Sequence, residues 1–464
     1  MFLVKVAIEM RFEVVKRFLL PSLLLFSLAC GCFTYGLAVG RYKIYPYRVI
    51  RDASTALFAL IGLAAPDGPN GLSSYRQHVL VPTVIDHAQT GGDELLLVSG
   101  GSGYRKDLHA DGCVAWLMDR GGQIKHIWKY DPHLWDDLQS VTQLPGVSGA
   151  PTPVGLHVFD DGDLLVNYQG VNTFPFAIGM ARFDKHSNLR WKRELQTHHW
   201  FSVAPDGRIF VPAVRVVDAP IPIGHTSRDI VSESGKIYAD LVLVLDQDGN
   251  VLQEISLLDA LFASGQEGLL LRPDSEVLAA DDPLHSNDAR LVGDDMANGR
   301  PWLSPDDLLI SFRNINTIGI LDITTQRFKW MASGAMVGQH SPRFYDGGVL
   351  VLDNLGGNQE TGGTQLVKID LATHMPTRLF PRDGVATPDD CRIANGGHVD
   401  IHRDGKRALL TVSHDGAIWE IDLPTGKVLW EYIYVHPHEG GIRQGLQTAK
   451  YVYEPSFLRL GDES

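Results

Sequence analysis

The chain is poor in cysteine, with four in 464 residues, and it has no Cys-x-x-Cys pair or Cys/His spacing that would cage a structural zinc. Cys30 and Cys32 fall in an apolar run near the start, so only Cys113 and Cys391 remain further on; two buried thiols are expected ahead of a disulfide. No GxGxxG accompanies a strand-helix-strand unit, and phosphate-binding loops, GxSxG elbows and HExxH pairs are missing. Nucleotide-dependent enzymes are thereby disfavoured, and no cofactor or metal is expected. Positive charge is also in deficit. A formal net charge of -14 argues against a nucleic-acid partner, which needs a concentrated basic surface, and serves solubility instead.

Charge is absent altogether from Phe18 to Gly40. At about 1.5 Å per residue that run is long enough for a hydrocarbon core of about 30 Å, and it exceeds the roughly 7–15 apolar residues of a cleaved signal. It reads as a membrane anchor over 18–40, with 1–17 a cytoplasmic N-terminus. Residues 41–75 read as a juxtamembrane linker, dense in turn formers at Pro66-Asp67-Gly68-Pro69-Asn70-Gly71. Basic residues flank the run on both sides, so their balance does not orient it.

From residue 76 to 464 the chain is a repeat of short β runs. Six times a strand ends in an apolar residue and an Asp, turns, and resumes in a second strand: Asp119, Asp184, Asp246, Asp322, Asp370 and Asp422. An apolar strand run precedes each hairpin. Several strands per unit, repeated at intervals of about 50 residues, fit an all-β, six-bladed propeller better than two stacked β domains. The segments beginning at His78 and at Ala449 are the candidates for closing the ring. Trp128, Trp191, Trp330 and Trp430, on the second hairpin strands, are expected to pack between blades.

Innermost strands of a propeller line its axis, so residues at their entrances converge. His199 precedes its turn glycine, Gly207, by eight residues; His340 precedes Gly347, and His398 precedes Gly405, by seven. His285 stands before the fourth run. A single such His is more often a hydrogen-bonded channel residue, and a His₃ metal site is a minor alternative; several in register point to a site. Arg313 is sharper. Period-2 alternation in DLLISFR puts it on one face with Leu309 and Ser311, where a cation needs an anion or a salt bridge to Asp288 or Asp353. Arg343, in HSPRF, is either a second anion contact or a surface charge.

The segments His285-Ser-Asn-Asp, Ser311-Phe-Arg313 and Gly338-Gln-His-Ser-Pro-Arg-Phe, followed by Leu352-Asp-Asn, occur in the order in which similar motifs occur in arylsulfotransferases. The chain resembles that family, in a shorter subgroup, from about Asp93 to Tyr434. The resemblance implies an exported, six-bladed enzyme in the periplasm or at the cell surface. Such an enzyme moves a sulfuryl group from an aryl sulfate to a phenolic acceptor without a nucleotide. It implies His340 as nucleophile, with His199, His285 and Arg313 around the sulfuryl group; Asn287, Arg343 and His398 are the candidate substrate-binding residues beside them. The stretch Gly293-Asp-Asp-Met-Ala-Asn-Gly-Arg-Pro-Trp302 lengthens the path from His285 to Arg313. The last unit also resembles the repeat of quinoprotein and outer-membrane assembly propellers, and Trp docking in every blade would favour a non-catalytic, membrane-anchored propeller that binds a protein or glycan. Oligomeric state is left open by the sequence, a homo-oligomer included.

Overall fold

The repeated aspartate is the turn residue of the outer hairpin in each of six sheets. Its carboxylate accepts backbone N–H groups two to four residues on: from Gln123 to Asp119 at 2.9 Å, from Asn188 to Asp184 at 2.8 Å, from Thr373 to Asp370 at 2.8 Å. A short polar acceptor that satisfies the turn's own donors is the reason for Asp at this position.

In the computed structural model, residues 22, 25–36, 81–89, 91–143, 150–170, 173–232, 234–271, 281–358, 362–388, 391–435 and 443–459 are described. The chain divides into two compact units, residues 1–71 and 72–464. The second is a six-bladed β-propeller. From the axis outward, blade I is Ala449–Val452, Leu95–Ser102, Gly112–Met118 and Ile124–Lys129; blade II is Thr152–Val158, Leu164–Gln169, Ala177–Phe183 and Leu189–Arg193. Blade III is Ser202–Val203, Ile209–Asp218, Lys236–Leu245 and Val251–Ser256; blade IV is Ser286–Leu291, Leu308–Phe312, Thr317–Asp322 and Arg327–Ser333. Blade V is His340–Tyr345, Gly348–Asp353, Gln365–Asp370 and Pro376–Phe380. Blade VI is His398–Ile401, Arg407–Val412, Ala417–Asp422 and Lys427–Ile433, with Thr83–Asp86 as a fifth, outermost strand.

Both expected segments close the ring, each on a blade from the other end of the chain. Ala449–Val452 pairs antiparallel with Leu95–Val98, and Thr83–Asp86 pairs with Trp430–Ile433. The innermost strands remain sheet edges, but they are short and face the axis, where no second chain can pair with them.

Blade strands read as continuous apolar runs because both of their faces are buried. In Gly348–Asp353, Leu350 and Leu352 pack with Val399, Leu410 and Trp419 of blade VI, while Val349 and Val351 pack with Leu309 and Ile320 of blade IV. Six apolar clusters of this kind lie between adjacent blades. Each fully buried aliphatic side chain stabilises the ring by about 1.5–3 kcal/mol.

Four tryptophans tie blades together as expected. The indole N–H of Trp128 donates to Gly162 O at 3.1 Å, Trp191 to Gln247 O at 3.0 Å, Trp330 to Leu371 O at 2.9 Å and Trp430 to Arg120 O at 2.9 Å. The outer strands of blades III and V carry no Trp, so the every-blade docking pattern of the binding-protein alternative is not met.

Cys113 and Cys391 are buried free thiols. Of the expected anchor, residues 25–36 are helical, and most of the remainder, with 1–17 and 41–75, lies outside the described residues. Among the described residues no helix is long and apolar enough to cross a membrane.

One local expectation is corrected. Arg313 does not lie in the strand, which ends at Phe312; it opens the turn 313–316. The Gly293–Trp302 stretch also leaves the distance between His285 and Arg313 short. It falls between the first and second strands of blade IV, at the far end from His285, and the antiparallel return puts Arg313 N 3.1 Å from His285 O.

Candidate active site

The chain turns sharply where it enters the inner strands. His199 and His285 hold φ of 56° and 50°, the left-handed region, immediately before the inner strands of blades III and IV; Ser341, after His340, holds 52°. Bulges follow in blades IV and V, between Ser286 and Asp288 and between His340 and Arg343. Left-handed non-glycine residues cost about 1–3 kcal/mol each and persist where the surroundings over-determine them. A bulge re-aims the side chains beside it.

The result is a cavity of about 340 Å³ lined by His199, His285, Arg313 and His340, with Trp200 and Gln169 among the other walls. The His199 ring is 5.1 Å from that of His285 and 6.3 Å from that of His340. The four residues that the resemblance assigns to chemistry therefore share one cavity.

Hydrogen bonds set the state of each imidazole. Asn354 Nδ2 donates to Ile393 O at 2.8 Å and Gly396 O at 3.0 Å, which leaves its Oδ1 as an acceptor 2.8 Å from His340 Nδ1. His340 thus carries its proton on Nδ1, and Nε2 has a lone pair, met among the described residues only by the Gly396 N–H at 3.3 Å. Burial pushes the His340 pKa down to about 3, with the charges of Arg313 and His285 adding to the effect and the Asn354 bond opposing it. His340 is neutral at pH 7.

His285 is the opposite case. Burial disfavours its charge, but the Asp282 carboxylate 2.5 Å from Nδ1 outweighs burial and raises its pKa; the face of Phe176 stacks 5.6 Å away. Asp282, buried as it is, stays below the usual carboxylate range because of the same pair. His199 is held far below its ordinary pKa by burial, then by His198, His285, His340 and Arg313. Its Nδ1 meets His198 Nδ1 at 2.7 Å and Gln169 Nε2 at 3.3 Å.

Arg313 donates to Asn314 Oδ1 at 3.0 Å, and among the described residues it forms no ion pair. Neither salt bridge considered from the sequence is made. Asp288 is taken by Arg343 at 2.7 Å, and Asp353 accepts from the N–H groups of Val337 and Gly356 and from Gln365. A guanidinium with no carboxylate partner in a cavity is disposed to take an anion.

The structure does not place Asn287, Arg343 or His398 among the cavity's lining residues. Asn287 Nδ2 donates to Gln339 O at 2.8 Å and so braces the backbone before His340. Arg343 spans Asp288 and His398 Nε2, both at 2.7 Å, one level down the axis. Sequence reasoning gave no role to Asp282, Asn354, Gln169 or Trp200. A carboxylate three residues before His285 was a signal for Asp282; Asn354 was visible in Leu352-Asp-Asn as a motif without a role. Gln169 meets the site only because blade II packs beside blade III, and Trp200 directly follows His199.

The model of the Arylsulfotransferase (ASST) family matches residues 155–435, from blade II through blade VI. No curated protein matches the chain. Similar solved structures include a protein of unknown function from Bacteroides caccae, with 11% identity, 78% of this chain and 99% of that one covered, and a TM-score of 0.46. Another is from a nidogen/laminin complex, with 11% identity, 78% and 98% covered, and a TM-score of 0.42. A third is the virginiamycin B lyase of Staphylococcus aureus, with 12% identity, 66% and 76% covered, and a TM-score of 0.35. Likeness at this level carries no functional argument.

Proposed function

This chain belongs to the arylsulfotransferase family, and we propose that it moves a sulfuryl group from an aryl sulfate ester to a phenolic acceptor through a sulfohistidine on His340. One observation carries the reading: a neutral imidazole with a lone pair on Nε2, an imidazole whose pKa Asp282 raises and a guanidinium that forms no ion pair among the described residues line a single cavity.

Sulfuryl transfer, like phosphoryl transfer, spreads charge over three equatorial oxygens while the entering and leaving groups lie in line. Arg313 and the cationic His285 supply fixed positive charge for those oxygens. His340 Nε2 forms the N–S bond as the S–O bond to the aryl group breaks. The departing phenolate needs a proton. With a reference pKa of about 10 it takes one readily from an imidazolium and not from a neutral imidazole, so His285 is the acid rather than His199. In the second half the acceptor phenol returns a proton to His285, its oxygen bonds to sulfur, and the N–S bond breaks. His199 contributes a hydrogen bond to a sulfuryl oxygen. Export of the propeller, with Phe18–Gly40 retained as anchor, belongs to the same reading; a mature N-terminus near residue 30 would contradict that part.

The test uses a chromogenic aryl sulfate and a phenol acceptor with the purified protein. Ping-pong kinetics are expected, and donor alone should leave a sulfuryl label on His340 that His340→Ala abolishes. Labelling and normal turnover in His340→Ala would refute the nucleophile, and absence of turnover with any aryl sulfate would refute the activity.

A further inference from the structure

Further along the inner strands lies a second set of charges that sulfuryl transfer does not use. Trp200 separates the two levels: it lines the cavity, and its ring lies 5.6 Å from that of His398. Past it come Arg290 of blade IV, Arg343 of blade V and Lys450 of blade I, with Asp288 of blade IV and Asp400 of blade VI. These five groups act on one another electrostatically.

Their charges do not balance. Arg343 Nη1 pairs with Asp288 at 2.7 Å, and Arg290 reaches the same carboxylate at 3.6 Å. Asp400 accepts the Tyr451 N–H at 2.9 Å, and Lys450 Nζ donates to the Leu156 carbonyl at 3.2 Å. The neighbouring histidines do not alter the sum: burial pushes the His157 pKa down to about 3 and that of His398 well below its usual value, so both are neutral. Among the described residues three cations thus face two carboxylates. Among the described residues the Nε atoms of Arg290 and Arg343, like Asp288 Oδ1 between them, are buried without a hydrogen-bond partner, and Arg343 is only 6% exposed. Water can satisfy a donor but cannot neutralise a charge, and uncompensated charge in a channel is costly. Arg290, Asp400 and Lys450 are only partly buried, which gives an ion a way in.

We propose that this lower channel binds a small inorganic anion, a halide or sulfate, held by Lys450, Arg290 and Arg343. The anion would tie the ring-closing strand of blade I to the inner strands of blades IV and V.

Thermal unfolding of the purified full-length protein tests this, with chloride or sulfate replacing gluconate at constant ionic strength. Stabilisation by a ligand of the native state saturates with concentration, so Tm should rise by a few degrees and level off. Lys450→Met removes the excess charge and should abolish the rise, whereas Arg313→Met, in the cavity above, should keep it. If Lys450→Met does not fold, Lys450→Gln, which keeps a donor for Leu156 O without the charge, replaces it. No saturable rise in the wild type would overturn the proposal and point to deprotonation of Lys450, whose pKa burial lowers to about 8, as the means of balance. A rise lost in Arg313→Met and retained in Lys450→Met would place the anion in the upper cavity and overturn it equally.

Discussion

Acidification from pH 7 to pH 5 should remove most of this protein's folding free energy, and the size of the loss follows from its buried histidines. His198, His199, His340 and His398 are 0%, 8%, 1% and 1% exposed. Burial holds His198 and His340 at about 3 and the other two well below the usual value, with neighbouring cationic groups adding to it. In the unfolded chain each titrates at about 6.5. His157 is likewise pushed down to about 3 by burial, so between pH 6.5 and pH 4 the unfolded state binds five protons that the folded state does not, and stability falls as pH falls. Asp240 acts in the opposite direction. Burial and the adjacent Asp282 push its pKa up to about 7, so the folded state binds one proton that the unfolded state lacks, which offsets one histidine. His285, with its raised pKa, contributes stability that is fully present below 6.5 and is lost only as pH rises through its folded value. Four net protons give about 5 kcal/mol per pH unit, or about 8 kcal/mol between pH 7 and 5, against a typical total of about 5–15 kcal/mol. Urea unfolding followed by tryptophan fluorescence at pH 7, 6 and 5 measures this directly. A midpoint unchanged across the series would refute the assignment of these histidines as neutral in the folded state.

Asp282→Asn removes the partner that keeps His285 charged, so kcat should fall on the order of a hundredfold at pH 7.5 and recover partly toward pH 6; a pH profile parallel to that of the wild type would show that His285 is not the acid. Trp430→Phe leaves Arg120 O without its indole donor at the seam where blade VI meets blade I, at an expected cost of about 1–3 kcal/mol in urea unfolding at pH 7. A loss indistinguishable from zero would mean that this hydrogen bond does not hold the ring.

The sequence by itself determined the blades and the entrances. Aspartate turns and apolar runs act within two to four residues or along one strand, so the six hairpins were legible as local chemistry. The positions of His199, His285 and His340 at the starts of inner strands were legible for the same reason. What only the tertiary structure decided is which side chains meet and in which protonation state. Alternation along DLLISFR treated Arg313 as a strand residue; the turn after Phe312 brings it beside His285 instead. Arg343 reads as a possible anion contact in HSPRF, yet the blade V bulge and Asp288 of blade IV engage it below the cavity. His285 and His340 are the same residue type in similar settings, but Asp282 beside the first raises its pKa, whereas burial holds the second at about 3 against the opposing Asn354 bond. Desolvation and Coulomb forces depend on distances between blades, and those distances exist only once Ala449–Val452 has closed the ring on Leu95–Val98.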